Sequence, residues 1–254
     1  MEKITSTNNE KIISDAKLKD KKHRDARGVY IVEGIKMATE AVKYNQSIEK
    51  CYVCEGSEGL EIISTLEKSG VPVFLLAKHV FSKISQTVTP QGVILVIKIP
   101  AEKFETLVGN CLLLENLQDP GNVGTLIRTA VAAGVTDCFL VSCADCYSQK
   151  AVRSSMSGIY NINIHLSNNL PEEIFTSHVV YCGDMGGEDV FSLENFSHKY
   201  VVCVGNEGNG VSKELKAKSH KIVSIPMDDK IESLNAAISG GLLLYTLKTK
   251  QIGG

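Results

Sequence analysis

Three Gly- and Asn-rich segments carry the side chains best suited to bind a ligand or do chemistry. The first, Asn116-Leu-Gln-Asp-Pro-Gly-Asn-Val-Gly-Thr125, leads into a stretch whose Val123, Leu126, Ile127, Ala130 and Val131 recur at helical spacing. Asn122 can cap that helix, and Gly121 and Gly124 permit a tight turn and close approach of a ligand or another chain. Arg128 lies off the apolar stripe and so points toward a cleft or solvent. The second, Gly205-Asn-Glu-Gly-Asn-Gly210, lacks both the G-x-G-x-x-G order and the Lys-Ser/Thr of a P-loop, which argues against a phosphate cradle. Its Glu207, set among three glycines and two asparagines, has no evident packing role. The third, Ile225-Pro-Met-Asp-Asp-Lys-Ile-Glu-Ser-Leu-Asn235, offers Ser233 or Asn235 as a helix cap, with Ile225 and Met227 as walls of a slot for a purine ring. Read one at a time, the three are equally a capped helix with a surface arginine, a flexible turn and an ordinary loop.

The elements around them make them a set. Cys111–Glu115, Cys138–Ser142, Val179–Cys182, Tyr200–Val204 and Ile222–Ile225 read as strands. Helices fit between them, including Val123–Gly134, a short one from Val211 and a last one over about Leu234–Lys248. Continuously apolar strands alternating with helices predict a parallel sheet covered on both faces. All three segments then follow strand carboxyl ends, where open parallel sheets bind ligands. The last helix is apolar nearly all round, which predicts burial on several sides, either in a dimer interface or within one chain.

A second α/β unit comes first along the chain. Val29–Glu33, Ile48–Cys54, Val71–Ala77 and Gly92–Ile99 read as strands, and Ile35–Tyr44 and Leu60–Lys68 as helices. The expected organisation is a domain over 1–100, a linker over 101–108 opening after Pro100, and a second domain over 109–254. Within the first, Lys17–Arg27 holds six Lys/Arg against two Asp. It reads either as a solvated helix face or mobile arm, or as an electrostatic foot that meets phosphates through Lys22, Arg24 and Arg27.

Bulk properties bound the rest. At 43% apolar and 22% charged residues, the chain is expected to be a soluble globular protein. It has neither a run long enough to span a membrane nor the apolar stretch of a signal peptide, so a cytoplasmic protein is expected. A net charge of −2 leaves any RNA contact to local basic clusters. Cys51/Cys54 and Cys143/Cys146 have C-x-x-C spacing, but residues three apart on a strand point to opposite faces and no further pair completes a zinc site. No metal is expected, and the eight cysteines read as reduced thiols. With 23 lysines and only four arginines, the placing of Arg128 and of Arg153, in the hydroxyl-rich Ser148–Gly158, suggests a need for a planar, permanently charged fork.

Taken in order and spacing, the three segments resemble the signature motifs of the SpoU (TrmH) family of the SPOUT superfamily. The first motif is similar to Asn116–Arg128, the second to Gly205–Gly210, and the third to Ile225-Pro-Met followed by Ser233-Leu-Asn-Ala236. The similarity covers about Cys111 to Leu247. Tyr30–Gly34 and Pro90–Val93 carry a weaker similarity to the ribosomal-protein-L30-like RNA-binding domain that accompanies this family.

The resemblance implies an α/β SPOUT parallel-sheet domain with a trefoil knot, preceded by an L30e-like α/β domain, in a homodimer. It implies S-adenosylmethionine as cofactor, held by Gly205, Ile225, Met227, Leu234, Asn235 and Ala236. The implied reaction is methylation of a ribose 2′-hydroxyl in RNA, with rRNA favoured over tRNA. Arg128 would be the base, Asn122 and Glu207 would position it and the ribose, Ser233 and Asn235 would shape the loop, and Arg153 would hold a phosphate. A guanidinium titrates above about 12, so Arg128 would act through a phosphate relay or by orienting the ribose and stabilising charge. A non-catalytic RNA-binding protein is disfavoured by the intact set Asn122, Arg128, Glu207 and Asn235, and a dehydrogenase by the absence of G-x-G-x-x-G.

Overall fold

The computed structural model describes residues 1–101, 107–194 and 196–253, so most of the expected linker lies outside the described residues. The chain divides into two compact units, Met1–Ala101 with Tyr147–Tyr160, and Glu102–Cys146 with Asn161–Gly254. The inclusion of Tyr147–Tyr160 in the first unit is not anticipated by the sequence, because it rests on contacts such as Tyr147 against Tyr30, with ring centroids 5.0 Å apart.

The first unit is a mixed sheet ordered β1-β4-β3-β5-β2. Its strands are β1 (Glu2–Ile4), β2 (Val29–Glu33), β3 (Ile48–Cys54), β4 (Val73–Leu76) and β5 (Val93–Lys98). Helices α1 (Glu10–Ala16), α2 (Lys21–Arg27), α3 (Ile35–Lys43), α4 (Glu61–Lys68) and α5 (Lys78–Ile84) accompany them. The two weakly family-like segments meet here. β2 and β5 pair antiparallel with Glu33 opposite Ile94, and Gln91 Oε1 accepts from the Ile35 amide at 2.9 Å. Glu33 in turn accepts from the hydroxyls of Ser85 and Thr87 at 2.5 and 2.6 Å, which pins the loop before β5.

The basic N-terminal stretch is helical rather than a mobile arm: Lys17, Lys19, Lys21 and Lys22 lie on a solvated helix face, while Leu18 and Arg24 are buried. β1 pairs parallel to β4, and Ile12 and Leu18 are buried beside Phe81 and Val96. Arg24 is buried and donates to the carbonyls of Leu18 and Lys19 at 2.6 and 2.7 Å. Arg27 pairs with the fully buried Asp15 at 2.5 Å and with Glu49 at 3.2 Å. Arg24 and Arg27 therefore hold the N-terminal helices on the sheet, whereas Lys22 is exposed. Asp15 also accepts from the Tyr52 hydroxyl at 2.6 Å and meets Lys50 at 3.2 Å. Asp15→Ala would leave the buried Tyr52 hydroxyl without its acceptor and Arg27 and Lys50 with Glu49 alone, and should destabilise the protein by about 3 kcal/mol. An unchanged midpoint in denaturant would show that this cluster does not anchor the helices.

The second unit runs β6 (Cys111–Glu115), α6 (Pro120–Ala133), β7 (Asp137–Val141), then, after α7 (Gln149–Ser155) of the first unit, β8 (Asn163–Ser167), α8 (Glu172–Ser177), β9 (Val179–Asp189), β10 (Tyr200–Val204), α9 (Lys213–Lys218), β11 (Lys221–Ser224) and α10 (Ala236–Gly253). Its sheet is ordered β11-β9-β10-β6-β7-β8, and every pairing is parallel. β6, β7 and β10 are buried along their whole length, including Glu115 at the end of β6 and Asp137 at the start of β7. From β6 the chain builds outward to β8 and then resumes on the other side, so β6 and β10 flank the point where the winding reverses.

Two features of this unit were not legible beforehand. β8 is an edge strand with few apolar residues. β9 continues past Cys182 because its pairing with β11 jumps from Ile222↔Cys182 to Val223↔Glu188, leaving residues 183–187 as an excursion between two registers. A Cβ on Gly187 would lie 2.6 Å from backbone atoms of Ile222 and Val223, so only glycine fits that approach. α10 buries Leu243, Leu244 and Leu247 and exposes Ile238, Leu242 and Tyr245 on a second face. Gly240 is where it meets α6, since a Cβ there would come within 2.4 Å of Leu126. All eight cysteines are free thiols. Among the described residues no group of side chains could hold a metal, and no helix is long and apolar enough to cross a membrane.

Candidate active site

All three loops leave carboxyl ends of parallel strands, from β6, β10 and β11. β6 ends because Asn116 adopts a left-handed conformation, φ 56°, and Ser142 does the same after β7 at φ 52°. Such a break in a non-glycine residue is uncommon and turns the chain sharply over the sheet edge. Helix α6 then starts a turn earlier than its apolar spacing suggests. Asp119, not Asn122, is its N-cap, accepting from the Gly121 amide, and Pro120 occupies the first turn.

Freed from capping, Asn122 joins the loops. Its amide donates to Glu207 Oε1 at 3.0 Å, and its oxygen accepts from Asn235 Nδ2 at 3.1 Å. Glu207 also accepts from the backbone amides of Gln118 and Asp119 at 3.3 and 3.4 Å. Burial opposes its charge, but the hydrogen bonds from Asn122 and from backbone amides outweigh that and hold the carboxyl below its ordinary range. The ionised form is thus the one that ties the loops. Asn206 adds a further link, donating to the Asn116 carbonyl at 2.8 Å. Asn235 caps α10, its oxygen accepting from the amides of Ala237 and Ile238 at 2.9 and 3.3 Å. Of Ser233 and Asn235, it is Asn235 that caps this helix.

Beside this network lies a cavity of about 320 Å³. Gly205, Ile225, Met227, Ser233, Leu234 and Ala236 line it, with Val204 and Leu243 adding apolar wall. Asn235 is not in the lining but sits between Leu234 and Ala236, within the hydrogen-bond network. The size and the largely apolar wall suit a flat heterocycle held by strand-end backbone. Gly205 makes the close approach possible: a Cβ there would lie 2.3 Å from the backbone of Gly210 and Val211. Sequence reasoning missed one part of the wall, the excursion Gly183-Asp184-Met185. Its signal was the Gly-Asp-Met-Gly-Gly run directly after a strand.

Arg128 stands on the exposed face of α6, two turns beyond Pro120, outside the cavity. Among the described residues it makes no hydrogen bond or ion pair, so its guanidinium is available to a ligand. Arg153 is exposed near the end of α7, in the first unit.

The model of the SpoU rRNA methylase family matches residues 109–245, and that of an MRM3-like substrate binding domain matches residues 9–95. This chain belongs to the SpoU rRNA methylase family. The chain is 32% identical over 253 residues, 98% of its length and all of the relative's, to the 23S rRNA (guanosine(2553)-2′-O)-methyltransferase of Bacillus subtilis. It is 26% identical over 230 residues, 85% of this chain and 84% of the relative, to the 23S rRNA (adenosine(1067)-2′-O)-methyltransferase of Streptomyces laurentii. The AdoMet-bound rRNA methyltransferase from Sinorhizobium meliloti superposes with a TM-score of 0.87 at 26% identity, over 98% of both chains. The SpoU match spans all three loops, and the substrate-binding match falls within the first unit.

Proposed function

We propose that this SpoU-family protein transfers the methyl group of S-adenosylmethionine to a ribose 2′-hydroxyl of rRNA. The observation that carries the reading is the joining of three loops, through Glu207, Asn122 and Asn235, at the rim of one apolar cavity. S-adenosylmethionine supplies a methyl group already attached to a good leaving group. The protein therefore has to position the ribose and assist loss of its hydroxyl proton. Ile225, Met227 and Leu234 enclose the adenine, and backbone at Gly205 and Ala236 reads its edge. Arg128 orients the ribose and stabilises the charge that develops on the 2′-oxygen. Asn122 and Glu207 hold the first two loops in register for it, and Ser233 and Asn235 shape the third. Arg153 and Lys22 bind RNA phosphates.

The doubly wound parallel sheet of the second unit is the one in which the family implies a trefoil knot. The division of labour is the one expected, a substrate-binding unit over about 1–100 and a methyltransferase unit over about 109–254, acting in the cytoplasm. The second unit works as a homodimer, with Ile238, Leu242 and Tyr245 of α10 covered by a second copy. Leu242→Glu should shift the protein to a monomer in sedimentation equilibrium; an unshifted dimer would place the interface elsewhere.

The deciding assay supplies methyl-labelled S-adenosylmethionine and unmodified total RNA, separates rRNA from tRNA, and digests each for nucleoside mass spectrometry. A 2′-O-methylated nucleoside from the rRNA fraction is expected. A base-methylated product, or label confined to tRNA, overturns the proposal.

A further inference from the structure

Two charged groups of the cavity wall, Asp184 and Glu232, stand outside the network that joins the loops. Asp184 lies in the excursion between the two registers of β9 and β11 and lines the cavity. Its Oδ2 meets Lys216 Nζ of α9 at 2.5 Å. Its Oδ1 accepts one long bond, 3.3 Å, from the Gly186 amide. A carboxylate has about four acceptor sites and an ammonium three donors, so both partners keep capacity for a ligand. The pair is partly exposed, 24% for the Asp184 side chain and 37% for Lys216, and such pairs add little to stability. Asp184 also stands across from Gly210, 3.7 Å from where a Cβ would be, so it faces the glycine loop across the cavity.

We propose that the Asp184–Lys216 pair is the receptor for the amino-acid end of S-adenosylmethionine. That end is a zwitterion, an α-ammonium and an α-carboxylate on one carbon. A carboxylate and an ammonium fixed side by side form its complement: Asp184 accepts from the α-ammonium and Lys216 donates to the α-carboxylate. The partial exposure of the pair suits a group that stays hydrated while the adenine is enclosed. The proposal rests on the placement of the cofactor in this cavity.

Calorimetric titration of the full chain with three ligands tests it. S-adenosylmethionine and S-adenosylhomocysteine share the zwitterion and differ in the sulfonium; methylthioadenosine lacks the zwitterion altogether. Asp184→Asn should weaken the first two by about tenfold or more, the scale of one charge-assisted hydrogen bond, and leave methylthioadenosine within about twofold. The exchange D184K/K216D should keep the ion pair and the melting midpoint but not the affinity, because the ligand's charges would then face like charges. Affinity restored by the exchange, or equal loss for all three ligands, would make the pair structural and overturn the proposal. Loss for S-adenosylmethionine alone would put Asp184 at the sulfonium, and no loss at all would remove it from recognition; both outcomes overturn the assignment. Ile225→Arg is the control for the cavity itself. If it leaves methylthioadenosine binding intact, the cofactor placement fails; if it abolishes that binding while Asp184→Asn changes nothing, only the present proposal fails.

Discussion

Arg128→Ala is expected to lower single-turnover methyl transfer by about three orders of magnitude while leaving the dissociation constant for S-adenosylmethionine within about twofold. The separation of the two effects follows from geometry. Arg128 projects from the exposed face of α6, makes no ion pair among the described residues and does not line the cavity, so its removal takes nothing from the cofactor's surroundings. What it removes is a permanent cation with a planar fork of donors, able to fix a ribose and hold charge on its oxygen. Arg128→Lys keeps the charge and loses the fork, and should recover only a small part of the rate. Rapid-quench measurement with saturating cofactor reads the chemical step, and equilibrium titration reads binding. Residual transfer above about a tenth of the parent rate would show that another group carries the reaction.

Gly205→Ala should cost about 3 kcal/mol of stability, the upper end of overpacking, and reduce cofactor binding below detection. The obstruction is one of space, since the added methyl would lie 2.3 Å from the carbonyl carbon of Gly210 and the nitrogen of Val211. Backbone cannot swing aside as a side chain can, so β10 or the loop beyond it must shift, and Glu207 shifts with them. Gly208 provides the control two residues away. A Cβ there meets nothing nearer than the Asn206 side chain at 3.6 Å, and Gly208→Ala should bind and melt like the parent. Thermal denaturation and calorimetry on the two variants together make the test. If both behave alike, the turn at Gly205 is slack and does not shape the cavity.

How much of this was legible in the residues varies with the range of the forces involved. Cys111–Glu115 and Tyr200–Val204 were read to the residue, because an unbroken apolar run bounded by polar residues states a buried strand by itself. The glycine and asparagine loops were visible as loops. What they do to one another was not, since Glu207 reaches Asn122 across 85 residues and local spacing carries no information about that pairing. The apolar spacing points to Asn122 as the helix cap, whereas the true cap is Asp119, whose local signal is the Pro120 that follows it. The extension of β9 depends on a register jump against β11, which only the partner strand can specify. At the N-terminus the lysines of Lys17–Arg27 are solvated as their charge suggests, but local charge does not show that Arg24 and Arg27 turn inward, Arg27 to a carboxylate twelve positions earlier.

The hydrogen bonds that close the site span 85, 90 and 113 positions of sequence. Contacts of that range form slowly, since the entropy of closing a long loop is lost before anything is gained. Each strand of the sheet can be hydrogen-bonded well before Asn235 finds Asn122. During synthesis at roughly 5–20 residues per second, residue 122 emerges several seconds to some twenty seconds before residue 235. A nascent chain therefore holds most of its sheet residues for a time without the third loop that completes the cavity rim. Cofactor present during refolding should accordingly accelerate only the last kinetic phase, the docking of the third loop, and leave the earlier collapse of the sheet unchanged.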